Sequence, residues 1–307
     1  MNEFEAVAAV ISFLCCCICR CEAFIPSQMF SGGLLTRRAP FHRSSVALHS
    51  VNPFANILNA ITTGMTDPLD EFDPKGFLRQ FAFPKAQKNE NILEGVEWPP
   101  EFPFTDSSFR RFDESHDGRF YDSPRLVQHI DDGARAALTW YYTNALPGGE
   151  NTAHLDLCSS WVSHFPTDYR PKRCAGLGMN EYELSQNEKL TERVVHDMNK
   201  DPRLPFDDNS FDVITNVVSV DYLNKPREVF REMYRVLKPG GLAIMSFSNR
   251  CFPTKAIAVW LQSSDLQHCG IVGSYFRYAN FTNIQAYDVS RPMSDPMYVV
   301  RGNKPDT

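Results

Sequence analysis

At 307 residues, with 43% apolar and 22% charged side chains, the chain has the balance of a core-forming globular protein of one large or two small domains. Its formal net charge of −6, with no Lys/Arg cluster in the body, argues against a nucleic-acid-coating surface, which needs grouped cations to meet phosphates.

The first segment stands apart. Ala6 to Cys19 is an apolar run shorter than the roughly 20 residues a membrane-spanning helix needs. It fits the apolar region of a signal peptide, although Glu3 and Glu5 precede it where a positive charge is usual. From Ala23 to Thr66 there is no Asp or Glu, while Arg37, Arg38, Arg43 and several Ser appear, the composition of an organelle transit segment. An apolar signal, then Ala23-Phe24-Ile25-Pro26, then an acid-free stretch resembles the two-part plastid-targeting leaders of algae, which are cut before the Phe. This predicts a signal over 1–23, a plastid transit-like segment over 24–66 and no membrane span in the mature protein. A plain secretory signal or a disordered tail is the alternative. Five of the nine cysteines fall in the leader. Cys158, Cys174, Cys251 and Cys269 are too scattered for a metal site or a disulfide framework, so free thiols and no metal are expected.

Residues 67–97 have little periodicity and read as a linker, with one short helix at most. Residues 98–150 read as an N-terminal helical cap. After Ser123-Pro124, apolar Leu126, Val127, Ile130, Ala134, Ala137 and Leu138 recur at helical spacing up to the Pro147-Gly148-Gly149 break. Strands and helices then alternate over 151–303. Strands are expected over 153–158, 173–177, 193–198, 211–218, 242–247, 281–289 and 297–300. Helices are expected over 181–190, from Pro226 to the Pro239-Gly240-Gly241 stop, and over 254–262. Such alternation implies an α/β fold with an open, doubly wound, mostly parallel sheet.

In such a sheet ligands sit beyond the carboxyl ends of the strands, near the point where strand order reverses. The residues there are Cys158 to Ser163, Gly178 to Asn180, Asp197 and Met198, Asn216 to Tyr222, and Ser248 to Arg250. They offer polar and thioether side chains, an aromatic and a carboxylate, which suits a nucleoside-like ligand. No GxxxxGK[ST] and no GxGxxG opens the first helix, so ATP and dinucleotides are disfavoured.

The runs Val195-His196-Asp197, LPFDDNSFDVI (204–214) and VLKPGG (236–241) resemble the class I S-adenosylmethionine-dependent methyltransferases, in particular their type 11 group. FDESHDGRFYDSPRLVQHIDD, LDLCSSWVSHFP, GLGMNEYEL and SFSNRCFPTKA are similar to a plant, algal and cyanobacterial branch of it. The resemblance covers 98–300 and implies a seven-stranded Rossmann-like sheet with a reversed last hairpin. It also implies S-adenosyl-L-methionine as cofactor. On matching positions, Asp156 opens the cofactor turn, Asp197 takes the adenine amino group beside Met198, and Asn216 to Val218 face the methionine part. Cys158, Ser160 and Val162 stand where the family's turn carries glycines, with Ser159 among them. Gly178 stands where an acid usually grips the ribose, leaving Met179 and Asn180, or Glu181, as neighbours able to contact the cofactor.

Methyl transfer needs positioning and, for weak nucleophiles, a base. Asp221 and Tyr222 are the catalytic candidates, with packing and capping as their bland alternative. His164 and Cys158 read as structural. Trp161, Asn249 and Arg250 are the substrate-side candidates, Arg250 as readily ion-paired to the Asp131-Asp132 segment. Phe104, Phe109, Phe112 and Phe120 either line an apolar pocket or bind the cap to the sheet. The reading is a plastid methyltransferase acting on a small or lipophilic acceptor, without nucleic acid. The alternative is a catalytically inactive methyltransferase-like binding or assembly factor.

Overall fold

The computed structural model describes residues 74–81 and 90–306, which belong to a compact unit beginning at Ala60. The expected signal and transit segments, and the cleavage before Phe24, lie outside the described residues.

Seven strands form one sheet: β1 (Ala153–Leu157), β2 (Arg173–Gly178), β3 (Glu192–Val195), β4 (Phe211–Val217), β5 (Leu237–Phe247), β6 (Thr282–Asp288) and β7 (Tyr298–Asn303). Their spatial order is β3-β2-β1-β4-β5-β7-β6, with β7 antiparallel to both neighbours and the other pairs parallel. This is the expected doubly wound sheet with a reversed last hairpin. Strand order reverses between β1 and β4, which places a ligand crevice above their carboxyl ends.

Seven helices accompany the strands among the described residues: α1 (Pro74–Arg79), α2 (Asp117–Phe120), α3 (Asp132–Ala145), α4 (Glu181–Ser185), α5 (Pro226–Val236), α6 (Ala258–Leu261) and α7 (Asp265–Arg277). None is long and apolar enough to cross a membrane. α5 starts on Pro226 and buries Val229, Phe230, Met233 and Val236 as its spacing predicts. Arg235 of α5 ties down the acidic turn before β4, donating to Glu232, Asp208 and the carbonyls of Leu204 and Phe206. Lys238 pairs with Asp212 at the opposite end of the sheet from the crevice. The chain's most motif-like stretch therefore builds the frame.

Several elements differ from the periodicity. α3 begins at Asp132, not near Pro124, because Asp131 caps it through Ala134 N–H while Arg125 N–H is drawn to Glu183. Leu126 and Val127 are accordingly exposed. α4 stops at Ser185, since Asn187 sends its amide to the 160–163 turn and Arg193 takes the Leu184 carbonyl. β3 ends at Val195, where Asp197 starts a turn of its own. Only 258–261 of the expected 254–262 helix forms, because Ile257 and Ala258 donate to the carbonyls of Asp221 and Arg110. β5 runs back through Pro239-Gly240-Gly241 to Leu237, where Gly240 (φ 74) and Gly241 exchange hydrogen bonds with Lys304. The sequence reading misses α7 altogether: His268 to Phe276 is buried without a break, so no amphipathic stripe betrays it.

Candidate functional site

The glycine-free turn after β1 is held from below. Cys158 adopts φ 53, the left-handed conformation usually left to glycine, so a cysteine keeps the backbone path at the first expected glycine position. Ser159 N–H then donates to the Leu177 carbonyl, laying the turn against the end of β2. The serine hydroxyls point into protein. Ser159 and Ser163 donate to Asp156 Oδ2 at 2.8 and 2.7 Å, and Thr215 donates to its Oδ1 at 2.9 Å. Ser160 donates to Glu183 Oε2 at 2.6 Å, and Asn187 Nδ2 donates to both Ser160 O and Ser163 Oγ. Burial raises the Asp156 carboxyl pKa, and those hydroxyls pull it back. Asp156, Ser159 and Ser160, expected to touch a cofactor, use these side-chain groups to build the turn's framework. Beneath them His154 links Tyr169 to Thr215; burial pushes its pKa down to about 3, so the ring is neutral.

At the end of β2 the expected contacts change in kind. A Cβ on Gly178 would lie closer than 3.0 Å to the Ser159 carbonyl oxygen, a separation real Cβ atoms essentially never show. The turn therefore fills the space into which an acid at 178 would project. Asn180 does not replace that acid. Its Oδ1 caps α4 through Glu183 N–H, and its Nδ2 donates to the carbonyls of Tyr121 and Asp122. Met179 is half-buried and Glu181 exposed.

The other strand ends bring candidates together. Asp197 is half-buried, and its Oδ1 accepts from the N–H groups of Asn199 and Lys200, fixing a tight turn with buried Met198 inside it. On β4, Asn216 donates to the Leu157 carbonyl, but its buried Oδ1 has no partner. Two residues on, Val218 adopts φ 44, a genuine outlier for a β-branched side chain. The 3-10 turn Val220–Tyr222 follows, with Asp221 only 2% exposed and its Oδ2 unpartnered. Burial pushes the Asp221 carboxyl up to about 8. Burial also raises Cys158 to about 12, making it a poor thiolate nucleophile. Tyr222 accepts from Phe252 N–H through its hydroxyl oxygen, and burial raises its pKa strongly.

The cap covers this region through a buried ionic cluster that the sequence reading did not find. Arg111 Nη1 donates to both oxygens of Asp117 at 2.9 and 2.8 Å, and Lys255, 1% exposed, reaches Asp117 and Asp113 at 3.1 Å each. The signatures FDESHDGRFYD and SFSNRCFPTKA thus meet in one place. Tyr121 follows α2, and burial raises its pKa. Phe120, Tyr121, Tyr222 and Phe252 form a linked aromatic wall with centroids 5.0 to 6.0 Å apart. Phe104 and Phe109 pack in the core, gluing cap to sheet, whereas Phe112 is 58% exposed.

Two of the three substrate-side candidates, Trp161 and Arg250, are hydrogen-bonded within the protein. Trp161 donates to the Val127 carbonyl, holding the cap segment over the turn. Arg250 pairs with Asp295 at 3.0 Å instead of with Asp131-Asp132; Asp295 in turn accepts from Asp131 N–H. Asn249 is exposed beside Ser248. His164 lies in a groove with Arg135, Thr139 and Trp140 of α3, and burial pushes its pKa down to about 4. No group of three or more His, Cys, Asp or Glu among the described residues is arranged to hold a metal.

Residues 155–245, the strands and turns just described, match the family model of the methyltransferase domain. A demethylmenaquinone methyltransferase of Listeria monocytogenes serotype 4a (strain HCC23) is 33% identical over 139 residues, covering 42% of this chain and 53% of its own length. A ubiquinone/menaquinone biosynthesis C-methyltransferase of Ruegeria sp. (strain TM1040) is 50% identical over 46 residues, 15% of this chain and 18% of that one. The chain thus spans about half the length, or less, of these curated relatives. A solved Thermotoga maritima structure described as a possible histamine N-methyltransferase aligns with a TM-score of 0.41 and 17% identity, over 56% of this chain and 90% of that one.

Proposed function

Since its sheet domain belongs to the class I methyltransferase superfamily, we propose that this chain transfers a methyl group from S-adenosylmethionine to a small, lipophilic acceptor. The carrying observation is a pair of buried, unpartnered acceptors, Asn216 Oδ1 and Asp221 Oδ2, at the switch point of a β3-β2-β1-β4-β5-β7-β6 sheet. Buried acceptors without partners are costly, and a ligand offering N–H or O–H groups removes the cost.

The residues fit the cofactor at two of its three parts. Asp197 and Met198 suit the adenine, and Asn216 suits the ammonium of the methionine part. At the ribose they do not: Gly178 carries no acid, and the turn leaves it no room for one. When bound, the cofactor supplies an electrophilic methyl on a sulfonium. The chain's own part is to orient the acceptor against the aromatic wall and to exclude water with the cap. In this reading Asp221 takes the acceptor's proton, its pKa near 8 matching a base that works close to neutral pH. Relatives named for quinone methylation, together with the apolar wall of Phe120, Tyr121, Tyr222 and Phe252, support a ring-bearing lipophilic acceptor. The leader composition supports action in the plastid, which fusion of residues 1–66 to a reporter in an algal cell tests; a secreted or cytosolic reporter rejects it.

The missing ribose acid favours one rival, a catalytically inactive binding or assembly factor. Calorimetric titration of the full chain with S-adenosylmethionine and S-adenosylhomocysteine separates the two. Binding is expected, and Asp197→Ala should weaken it more than tenfold. No heat at millimolar ligand leaves the rival; binding untouched by the substitution makes the adenine assignment wrong.

A further inference from the structure

Asn199 lies two residues beyond the expected adenine acid and makes hydrogen bonds in three directions. Its own N–H donates to Asp197 Oδ1 at 3.0 Å. Its Nδ2 donates to Asp117 Oδ2 of the cap at 2.8 Å and to the Tyr222 carbonyl at 2.9 Å. Its Oδ1 accepts from Asn224 N–H at 2.9 Å. The orientation of the amide follows from chemistry. A backbone N–H only donates and a carboxylate only accepts, so oxygen must face Asn224 and nitrogen must face Asp117. Burial works against charge on Asp117, but Arg111, Asn199 and Lys255 hold its pKa below the usual carboxylate value. The cap's ionised carboxylate therefore stands one side chain away from both the adenine turn and the turn carrying Asp221 and Tyr222.

We infer that Asn199 is a positioning residue that couples docking of the cap to cofactor binding. Displacing the cap withdraws Asp117, and the Asn199 side-chain amide then loses its carboxylate partner. The 197–200 and 220–224 turns stay joined through the Tyr222 carbonyl and Asn224 N–H, but the amide that joins them is no longer anchored to the cap. By linkage the effect runs both ways, so a ligand that settles on the Asp197 turn must also tighten the cap, including cap residues it does not touch. Asp117 and Lys255 then act on the cofactor at one remove, through Asn199, without meeting it.

The inference rests on the proposed cofactor, and its test keeps the two apart. Amide exchange over residues 111–122 of the full chain is followed with and without saturating S-adenosylhomocysteine, alongside titration of Asn199→Ala, of the isosteric Asp117→Asn, and of the double variant. In the wild type the ligand should slow exchange over 111–122. Each single variant should bind at least fivefold more weakly and lose that slowing, and the double variant should bind no more weakly than the worse single one. Wild-type binding with no response in 111–122, slowing that survives in Asn199→Ala, or losses that simply add would each overturn the coupling while leaving the cofactor in place. Absence of wild-type binding removes both. If Asn199→Ala does not fold, Asp117→Asn decides through the exchange comparison alone.

Discussion

Gly178→Ala isolates the most consequential contact in the molecule. The added methyl carbon would fall closer than 3.0 Å to the Ser159 carbonyl oxygen, with Ser159 C and Leu184 Cδ2 both at 3.2 Å. Neither backbone atom is a flexible chain end that can swing aside. The turn must retreat by about 1 Å to restore an ordinary van der Waals distance, and such overpacking costs about 1–3 kcal/mol. A retreat of that size also strains the Ser159 N–H to Leu177 bond and the Ser160 hydroxyl to Glu183 bond, each worth about 1 kcal/mol or somewhat more when buried. The sum is about 3–5 kcal/mol, or a fall of roughly 10 °C in Tm at this chain length. Urea and thermal unfolding by circular dichroism would measure it. Gly178→Asp should fare no better and should not tighten S-adenosylhomocysteine binding, because its carboxylate would start from the same blocked Cβ. A Gly178→Ala protein within about 2 °C of wild type would refute the reasoning, as would an Asp variant that binds more tightly.

Three other perturbations follow from the same geometry. The Asp221 carboxyl rises from 3.8 to about 8 on folding, so the native state holds a proton the unfolded chain gives up. Its contribution is complete at low pH and is lost as pH climbs through 8, so Asp221→Asn should flatten the fall in stability between pH 4 and 8; an unchanged slope rejects the assignment. Lys255→Met keeps the apolar stem but takes one cation from Asp117, costing about 3 kcal/mol or more, and a loss under about 1 kcal/mol in urea titration would mean Arg111 suffices alone. Cys158→Gly should be neutral or stabilising by up to about 1 kcal/mol, since it relieves the left-handed strain while adding chain entropy; marked destabilisation would show that the thiol packs essentially.

The inner strands β1, β2 and β4 were legible because each is a short, mostly buried run bounded by turn residues, and α5 because its apolar stripe is clean. α7 was not, since a helix buried all round has no stripe; its only local signal was the Ser264–Gln267 capping box. At the site, Asp197, Met198 and Asn216 were picked out by motif, and they stand at or just past the ends of β3 and β4. The roles of Ser159, Ser160 and Asn180 could not be, because a hydroxyl or amide beside a crevice can face either ligand or protein. The partners that settle the matter, Asp156, Glu183 and Tyr121, come from other elements. Arg111, Asp117, Asn199 and Lys255 were invisible for the same reason: in a linear sequence they are ordinary charged and polar residues, and only folding makes them neighbours.

The buried line Tyr169–His154–Thr215–Asp156 also has a direction. Asp156 takes hydroxyl protons on both oxygens, so Thr215 spends its single proton there and has only lone pairs left for His154. Nε2 must then carry the imidazole hydrogen, which leaves Nδ1 bare to receive the Tyr169 hydroxyl. Every dipole along the line points the same way, toward the carboxylate beneath the Cys158 turn. The carboxylate that holds that turn therefore also sets the His154 tautomer, and a nitrogen-15 spectrum of His154 would read it without any ligand being present.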